Sequence, residues 1–513
     1  METSRPAWIL LQNAYGLVVG YVTYLLILRD AGVSAFGIFS FALSFGMIFS
    51  FLSDLGINTA HTRMIAAGKD RNEYNNALVF MKFLLTLLYV GTIFVSIIVW
   101  TLVLHKGFDS PYEYLSILLL LPYFISLPYI QANKAFFTGT LEAVKVAVPP
   151  MVESTVRLLA VVVLIHYDIF HFASSGTGLI RMSLLIAASY SISYVAYAIL
   201  GFWIGRPWKL RLPRYETIKD YMKYSYPLTG AAVASAVSAN VAQILIQLFY
   251  ESHALGGYAS DLRFILMITG FTTSVTILIL PLLTTKLGDH VEYGKTVGLS
   301  VKYLTVFITP ITVFAIIFAS PLLNLWTSQL LPFAIALQLM LIGSWFTTMA
   351  IPFWTHFNAT GKTGISGALN VFGYLLIIIF DFILIPKYLL GVRLVGWGVN
   401  GAAAAMLISG VSILLTSMIA LLRKIKIDLT FQSIKSILVS ILLGALFYYF
   451  LHSYPRLPTL WILTLFVAYT LAYLGLILVT KTLSRQELMD ILDMMNLKKL
   501  FKYGIQELKH RSQ

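Results

Sequence analysis

Residues 459–480 read TLWILTLFVAYTLAYLGLILVT, twenty-two positions without a charge. Roughly 20 mainly apolar residues are what an α-helix needs to cross a hydrocarbon core about 30 Å thick, where every backbone N–H and C=O must be paired within the segment. Thirteen further stretches of the same kind precede it. The fourteen predicted spans lie near 7–28, 33–53, 77–104, 114–136, 144–166, 181–204, 224–249, 262–284, 299–320, 331–356, 366–385, 398–422, 435–452 and 459–480. Composition agrees: of 513 residues 58% are hydrophobic and 11% charged, and the mean hydropathy is +0.83. A soluble domain runs at about 45–50% apolar and about 25% charged. The fold class is therefore an all-α polytopic membrane protein. The intervening loops are short, so no soluble domain is inserted. With no cysteine in the chain, thiol catalysis, disulfide scaffolds and Cys-ligated zinc or iron–sulfur sites are excluded.

The net charge of +14 is a topological signal rather than a nucleic-acid one. Lys and Arg accumulate on the cytoplasmic side of membrane proteins. With the N-terminus inside, most of the 36 basic residues fall on that side, including Arg206, Lys209, Arg211, Arg214, Lys219 and Lys223 in one loop and Arg423, Lys424 and Lys426 in another. Both termini are expected in the cytoplasm, and the first span reads as a retained helix rather than a cleaved signal. After the last span, Ser484-Arg485-Gln486-Glu487 resembles a capping box, and Leu488, Ile491, Leu492, Met495 and Leu497 recur at helical spacing beside Lys498, Lys499 and Lys502. This tail is expected as an amphipathic helix, either on the inner leaflet or packed under the loops.

An internal repeat is visible. Ala35-Phe36-Gly37-Ile38-Phe39-Ser40 opens the second span, and Ala254-Leu255-Gly256-Gly257-Tyr258-Ala259 opens the eighth. An offset of six spans keeps the halves in the same orientation, so the repeat is parallel and leaves two extra helices at the C-terminal end. Around these residues the chain resembles a known family. Asp30-Ala31-Gly32-Val33-Ser34-Ala35-Phe36-Gly37-Ile38-Phe39, followed by Ser53-Asp54-Leu55-Gly56-Ile57-Asn58-Thr59-Ala60 and Arg63, looks like the first helical hairpin of Wzx-type polysaccharide flippases. These belong to the multidrug/oligosaccharidyl-lipid/polysaccharide (MOP) exporter superfamily. Later stretches agree: Gly256 to Arg263 with Pro281, Asn358-Ala359-Thr360-Gly361-Lys362, Leu384-Ile385-Pro386 and Gly398-Val399-Asn400-Gly401-Ala402-Ala403.

The resemblance implies a MOP/MATE-like fold with two six-helix lobes, 1–223 and 224–430, helices 13 and 14 over 431–480, and the cytoplasmic tail 481–513. It implies alternating access and a polyisoprenyl-(di)phosphate-linked oligosaccharide moved from the cytoplasmic to the outer leaflet of the cell membrane. The implied partners are that lipid-linked substrate, membrane lipids and glycan-assembly enzymes, with no nucleic acid and with the chain acting as a monomer. A cation-coupled drug or small-solute exporter of the same superfamily is the second reading, although those usually stop at twelve spans. A membrane glycan ligase or polymerase is a third. Enzymes of that kind present a sizeable outer loop, and the longest here is only about 14 residues.

Charges within spans are costly and so mark candidate sites. Arg157 lies in the fifth span with Glu153 four residues before it, on the same helix face. Either Arg157 binds phosphate with Glu153 holding it or taking a proton, or the two form a structural ion pair. Arg29, Lys82, Lys134, Arg263 and Lys286 lie near span ends. Arg29 and Arg263 are expected at the outer ends of opposite lobes, as diphosphate ligands or as snorkelling interfacial charges. Neutral polar residues add a softer signal: Gln12, Asn13, Gln131, Asn133, and a stripe of Asn240, Gln243 and Gln247 in the seventh span, suited to sugar hydroxyls or to interhelical hydrogen bonds. Asp54 and Arg63 are expected to pin an inner loop or form a cytoplasmic gate. Asp381 is a coupling candidate for H⁺ or Na⁺, or a partner for Lys387. No other cofactor is expected. Thr360-Gly361-Lys362-Thr363 mimics the end of a phosphate-binding loop, but His356 stands where that motif needs Gly. The nine His lack metal-ligand spacing.

Overall fold

In the computed structural model, residues 4–103, 108, 110–168, 178–205, 212–276, 290–423, 431–453 and 461–483 are described. The expected tail helix, Pro281, Lys286, and the loop residues Arg206, Lys209, Arg211, Lys424 and Lys426 lie outside them. Among the described residues twelve helical runs are long and apolar enough to cross a membrane. The first, Leu11–Met47, contains two expected spans: α1 (Ser4–Leu26) and α2 (Gly32–Met47), joined by a π-turn at Ile27–Ala31 and by Gly32 at φ +85°. That backbone conformation is easy only for glycine. The expected eighth span begins inside α10 (Ser252–Thr276) and continues past the described residues.

By contacts the described residues divide into two compact units, residues 4–259 and residues 260–483. In the first unit α3 (Ile57–Ala66), α4 (Arg71–Ile98), α5 (Pro111–Leu119), α6 (Leu121–Gly139), α7 (Ala143–Val161), α8 (Gly178–Gly205) and α9 (Tyr215–Phe249) follow α1 and α2. The side chain of Asp70 caps α4, accepting from the N–H groups of Asn72 and Glu73 at 2.8 and 3.1 Å. Helix α4 shows how these helices distribute their apolar residues. Ala77, Leu78, Met81, Tyr89 and Ile93 are buried, whereas Leu84, Leu87, Leu88 and Val95 are exposed. Exposed leucines along a whole face mark a surface meant for lipid, so packing rather than hydrophobicity selects the inner face.

Helix α9 begins at Tyr215, well before the predicted 224, because its polar first turns have partners. Tyr74 donates to Asp220 at 2.6 Å and Thr217 to Glu73, Lys69 pairs with Asp220 at 3.5 Å and Arg214 with Glu73 at 3.6 Å. Beneath them Tyr221 bonds His61 Nδ1 at 2.6 Å. Burial, and then the charge of Lys82, push the His61 pKa down to about 4.

The second unit contains α11 (His290–Ile317), α12 (Ala319–Trp326), α13 (Ala334–Ala359), α14 (Thr363–Leu384), a two-stranded hairpin of β1 (Tyr388–Leu389) and β2 (Val392–Arg393), α15 (Gly398–Leu422), α16 (Phe431–Ser453) and α17 (Trp461–Val479). Helices α13 and α15 approach closely enough that a methyl on Gly410 would overlap the Gly343 carbonyl. The two extra C-terminal helices are anchored on α11: Phe314 and Phe318 pack with Tyr469 and Tyr473, and Tyr473 donates to the Val306 carbonyl at 3.0 Å.

Candidate functional site

The i, i+4 spacing of Glu153 and Arg157 on α7 becomes an ion pair of 3.2 Å, with side chains 8% and 14% exposed. Glu153 is fixed from two directions: Ser193 Oγ on α8 donates to Oε1 at 3.0 Å, and Ser154 Oγ to Oε2 at 3.4 Å. The guanidinium carbon of Arg157 lies 5.0 Å from the ring centroid of Tyr190 on α8, a cation–π contact. Tyr190 in turn shares a 2.8 Å hydrogen bond with Tyr24 on α1, and Tyr15 bonds Thr155 at 2.6 Å. Three helices thus hold one guanidinium. Arg offers five N–H donors, and one of them, Nε, is buried without a hydrogen-bond partner. A fixed cation with a donor to spare is suited to an anionic oxygen. Nearby, the rings of Tyr123 and Tyr194 lie 4.0 Å apart by centroid and Tyr197 follows at 6.4 Å from Tyr194.

The other sequence candidates are distributed as follows. Arg29 is exposed on the π-turn after α1, where its neighbour Asp30 pairs with His166 at 2.9 Å. His166 ends a second π-turn, Val162–His166, which packs against the first. Asn13 is half-buried on α1. Asp54 pairs with Lys82, whose ammonium is wholly buried 3.1 Å from Oδ1 and 2.7 Å from the Ser53 carbonyl. Lys82 is therefore consumed internally. Arg63 is exposed, with its guanidinium 4.6 Å from the ring of Tyr224, tying α3 to α9. Lys134 is exposed on α6.

The α9 stripe does not act as one surface. Asn240 bonds its own helix at the Ala236 carbonyl (2.8 Å), Gln243 is half-buried, and Gln247 donates to Glu113 and to Ser252 Oγ, each at 2.9 Å. In the second unit, Arg263 is half-buried on α10. Asp381 is completely buried on α14 with neither carboxylate oxygen hydrogen-bonded, so the pairing with Lys387 does not form.

Three buried charged residues escaped the sequence reading. Glu113 and Asp261 stand one residue outside predicted spans, and Lys302 stands close to the start of another, so all three read as loop or interface charges. Yet Glu113 is 2% and Lys302 3% exposed, and Asp261 is fully buried with both oxygens unbonded. Among the described residues no group of His, Asp and Glu is placed to hold a metal ion.

Comparison with known proteins agrees with this architecture. A comparison with curated proteins gives no match. Among solved structures, the chain is similar to the lipid II flippase MurJ in an inward closed conformation, at TM-score 0.68 and 15% identity, covering 92% of this chain and 98% of that one. It is also similar to an inward-facing multidrug resistance MATE family transporter of the MOP superfamily (TM-score 0.58, 15% identity, 79% and 95% covered). A third is a MOP superfamily transporter from Pyrococcus furiosus (TM-score 0.52, 14% identity, 82% and 96% covered). The fold is thus that of MOP superfamily transporters. The family model described as polysaccharide biosynthesis protein matches residues 6–285, more than half of the sequence. The chain belongs to the polysaccharide biosynthesis protein family.

Proposed function

We propose that this protein is a flippase that moves a polyisoprenyl-(di)phosphate-linked oligosaccharide from the cytoplasmic to the outer leaflet of the cell membrane by alternating access, as a transporter rather than an enzyme. The observation that carries the reading is Arg157, a guanidinium held inside a membrane-spanning bundle by Glu153 and Tyr190 with Nε still to be satisfied. An anionic, hydrogen-bonding headgroup cannot enter hydrocarbon unaided, and a fixed Arg offers its phosphate paired donors that Lys cannot. The tyrosines beside it offer faces and hydroxyls to sugar rings. Membership of a polysaccharide biosynthesis family supports a glycan as cargo. The lobes 1–223 and 224–430 would rock about the substrate, Arg29 and Arg263 would meet the departing phosphate, and the two extra C-terminal helices, α16 and α17, would guide the lipid tail. Asp381 is proposed to bind the coupling H⁺ or Na⁺. Both termini are proposed to lie in the cytoplasm, as the Lys and Arg distribution of the loops suggests.

The test uses proteoliposomes containing a fluorescent polyprenyl-diphosphate sugar, with quenching by a membrane-impermeant reductant reporting the leaflet. Purified protein is expected to move the label under an H⁺ or Na⁺ gradient. Label that stays in its original leaflet under every gradient defeats the flippase reading. The lone carboxylates of the second unit also suit a cation-coupled small-solute exporter, which would extrude an organic dye in the same vesicles and leave the lipid in place.

A further inference from the structure

The repeat read from the sequence closes on itself in space. The offset that carries Gly37 to Gly256 also carries Val33 to Ser252. A methyl on Gly37 would overlap the Ser252 carbonyl and lie 2.9 Å from the Gly256 nitrogen, and a methyl on Gly256 would overlap the Val33 carbonyl. Each repeat's glycine therefore receives the other repeat's carbonyl one turn before its partner glycine. This is the reciprocity of a two-fold contact, formed here within one chain. Only glycines let two helix backbones approach so closely, with Cα–H groups set against carbonyls. A second contact lies beside it. Glu113, at the start of α5, accepts from Gln247 at the end of α9, and the same Gln247 amide reaches Ser252 Oγ, on the residue whose carbonyl meets Gly37. Both Glu113 and Gln247 are almost wholly buried. The charge distribution of the loops puts these helix ends on the outer side.

We infer that the Gly37–Gly256 contact is the outer gate of the transport cycle and that Glu113 is its lock, a positioning residue that holds α9 and the first turn of α10 against α2 and α5 while the inner side exchanges substrate. The inference rests on the alternating-access reading. Closure is short-range and nearly all backbone, so it is lost at once when a side chain is added. The lock is a carboxylate, and opening requires breaking its hydrogen bond to Gln247.

With no cysteine in its sequence, the chain is its own background for labelling. Ser40→Cys places a thiol at a buried site one turn below Gly37 on α2. In proteoliposomes, a membrane-impermeant maleimide added outside is expected to label S40C slowly, and about tenfold faster when Glu113→Ala removes the lock. Gly37→Val should raise labelling further by preventing closure. Equal rates in all three proteins, each monodisperse by size exclusion, would overturn the gate. Should G37V not fold, Glu113→Gln supplies the second test: its amide oxygen can still accept from Gln247, so labelling of S40C should return to the slow rate. Labelling of the Gln variant as fast as that of the Ala variant also defeats the inference. None of these measurements needs the lipid-linked substrate, so failed flipping with gated labelling counts against the flippase reading alone.

Discussion

The two compact units differ in the buried charge they display: the first holds ion pairs, and the second holds two carboxylates without a hydrogen bond. In the first, Arg157 faces Glu153 and Lys82 faces Asp54, each pair reinforced by hydroxyl or backbone hydrogen bonds. In the second, Asp261 and Asp381 are buried with all four carboxylate oxygens unbonded. A paired charge is a fixed part of the structure, and its removal exposes its partner. A carboxylate without a partner in a low-dielectric interior must be neutralised by a proton or met by a cation. We propose that this difference suits the first unit to holding an anionic cargo and the second to coupling.

This contrast can be broken by substitution. Asp54→Asn should destabilise the protein most, by about 3 kcal/mol, because it strands the wholly buried Lys82 ammonium, and Lys82→Met with Asp54→Asn should recover most of the loss. Unfolding in detergent followed by tryptophan fluorescence measures both, and a double variant no better than the single one would remove the pairing argument. Arg157→Met with Glu153→Gln should likewise retain folding but lose transport about 100-fold, as expected for two charge-assisted hydrogen bonds to phosphate. Transport preserved in that double variant would make the pair purely structural.

His61 sharpens the comparison through pH. Its folded pKa lies near 4 against an ordinary 6.5, so between these values the unfolded state binds the extra proton. Stability is therefore expected to be complete above pH 6.5 and to fall by roughly 2 kcal/mol by pH 5. His61→Gln should flatten that slope. A profile equally steep in the variant would place the titration elsewhere. The smallest effect on stability, a gain of at most about 1 kcal/mol, is expected from Asp381→Asn, since no partner is stranded. Its signature is instead loss of the dependence of transport on an H⁺ or Na⁺ gradient, and an unchanged dependence would move coupling away from this residue.

Much of the fold was legible. Residues 398–422 and the helix Gly398–Leu422 coincide, because an uncharged run flanked by turn and cationic residues has one outcome in a bilayer. The Arg157–Glu153 pair was legible for a similar reason: both partners lie on one helix at a spacing that fixes their distance. Residues at span edges were not. Glu113 stands beside a predicted boundary, and hydropathy cannot tell a charge that meets water from one that meets Gln247 on a helix more than a hundred residues away. The early start of α9 was hidden likewise, since Glu216, Lys219 and Asp220 read as solvated loop until Tyr74, Glu73 and Lys69 are brought beside that turn.

By itself the sequence determined the membrane class and the position of most spanning helices, and it set the expectation of a repeat and of a sidedness from Lys and Arg, because each depends on a segment's own transfer into lipid or on its own loops. The tertiary structure alone decided which charges are paired, that the α9 stripe is divided among different partners, and that the two repeat glycines meet. Those are properties of contacts between segments far apart in the chain, where a difference of one ångström separates a hydrogen bond from an unmet charge.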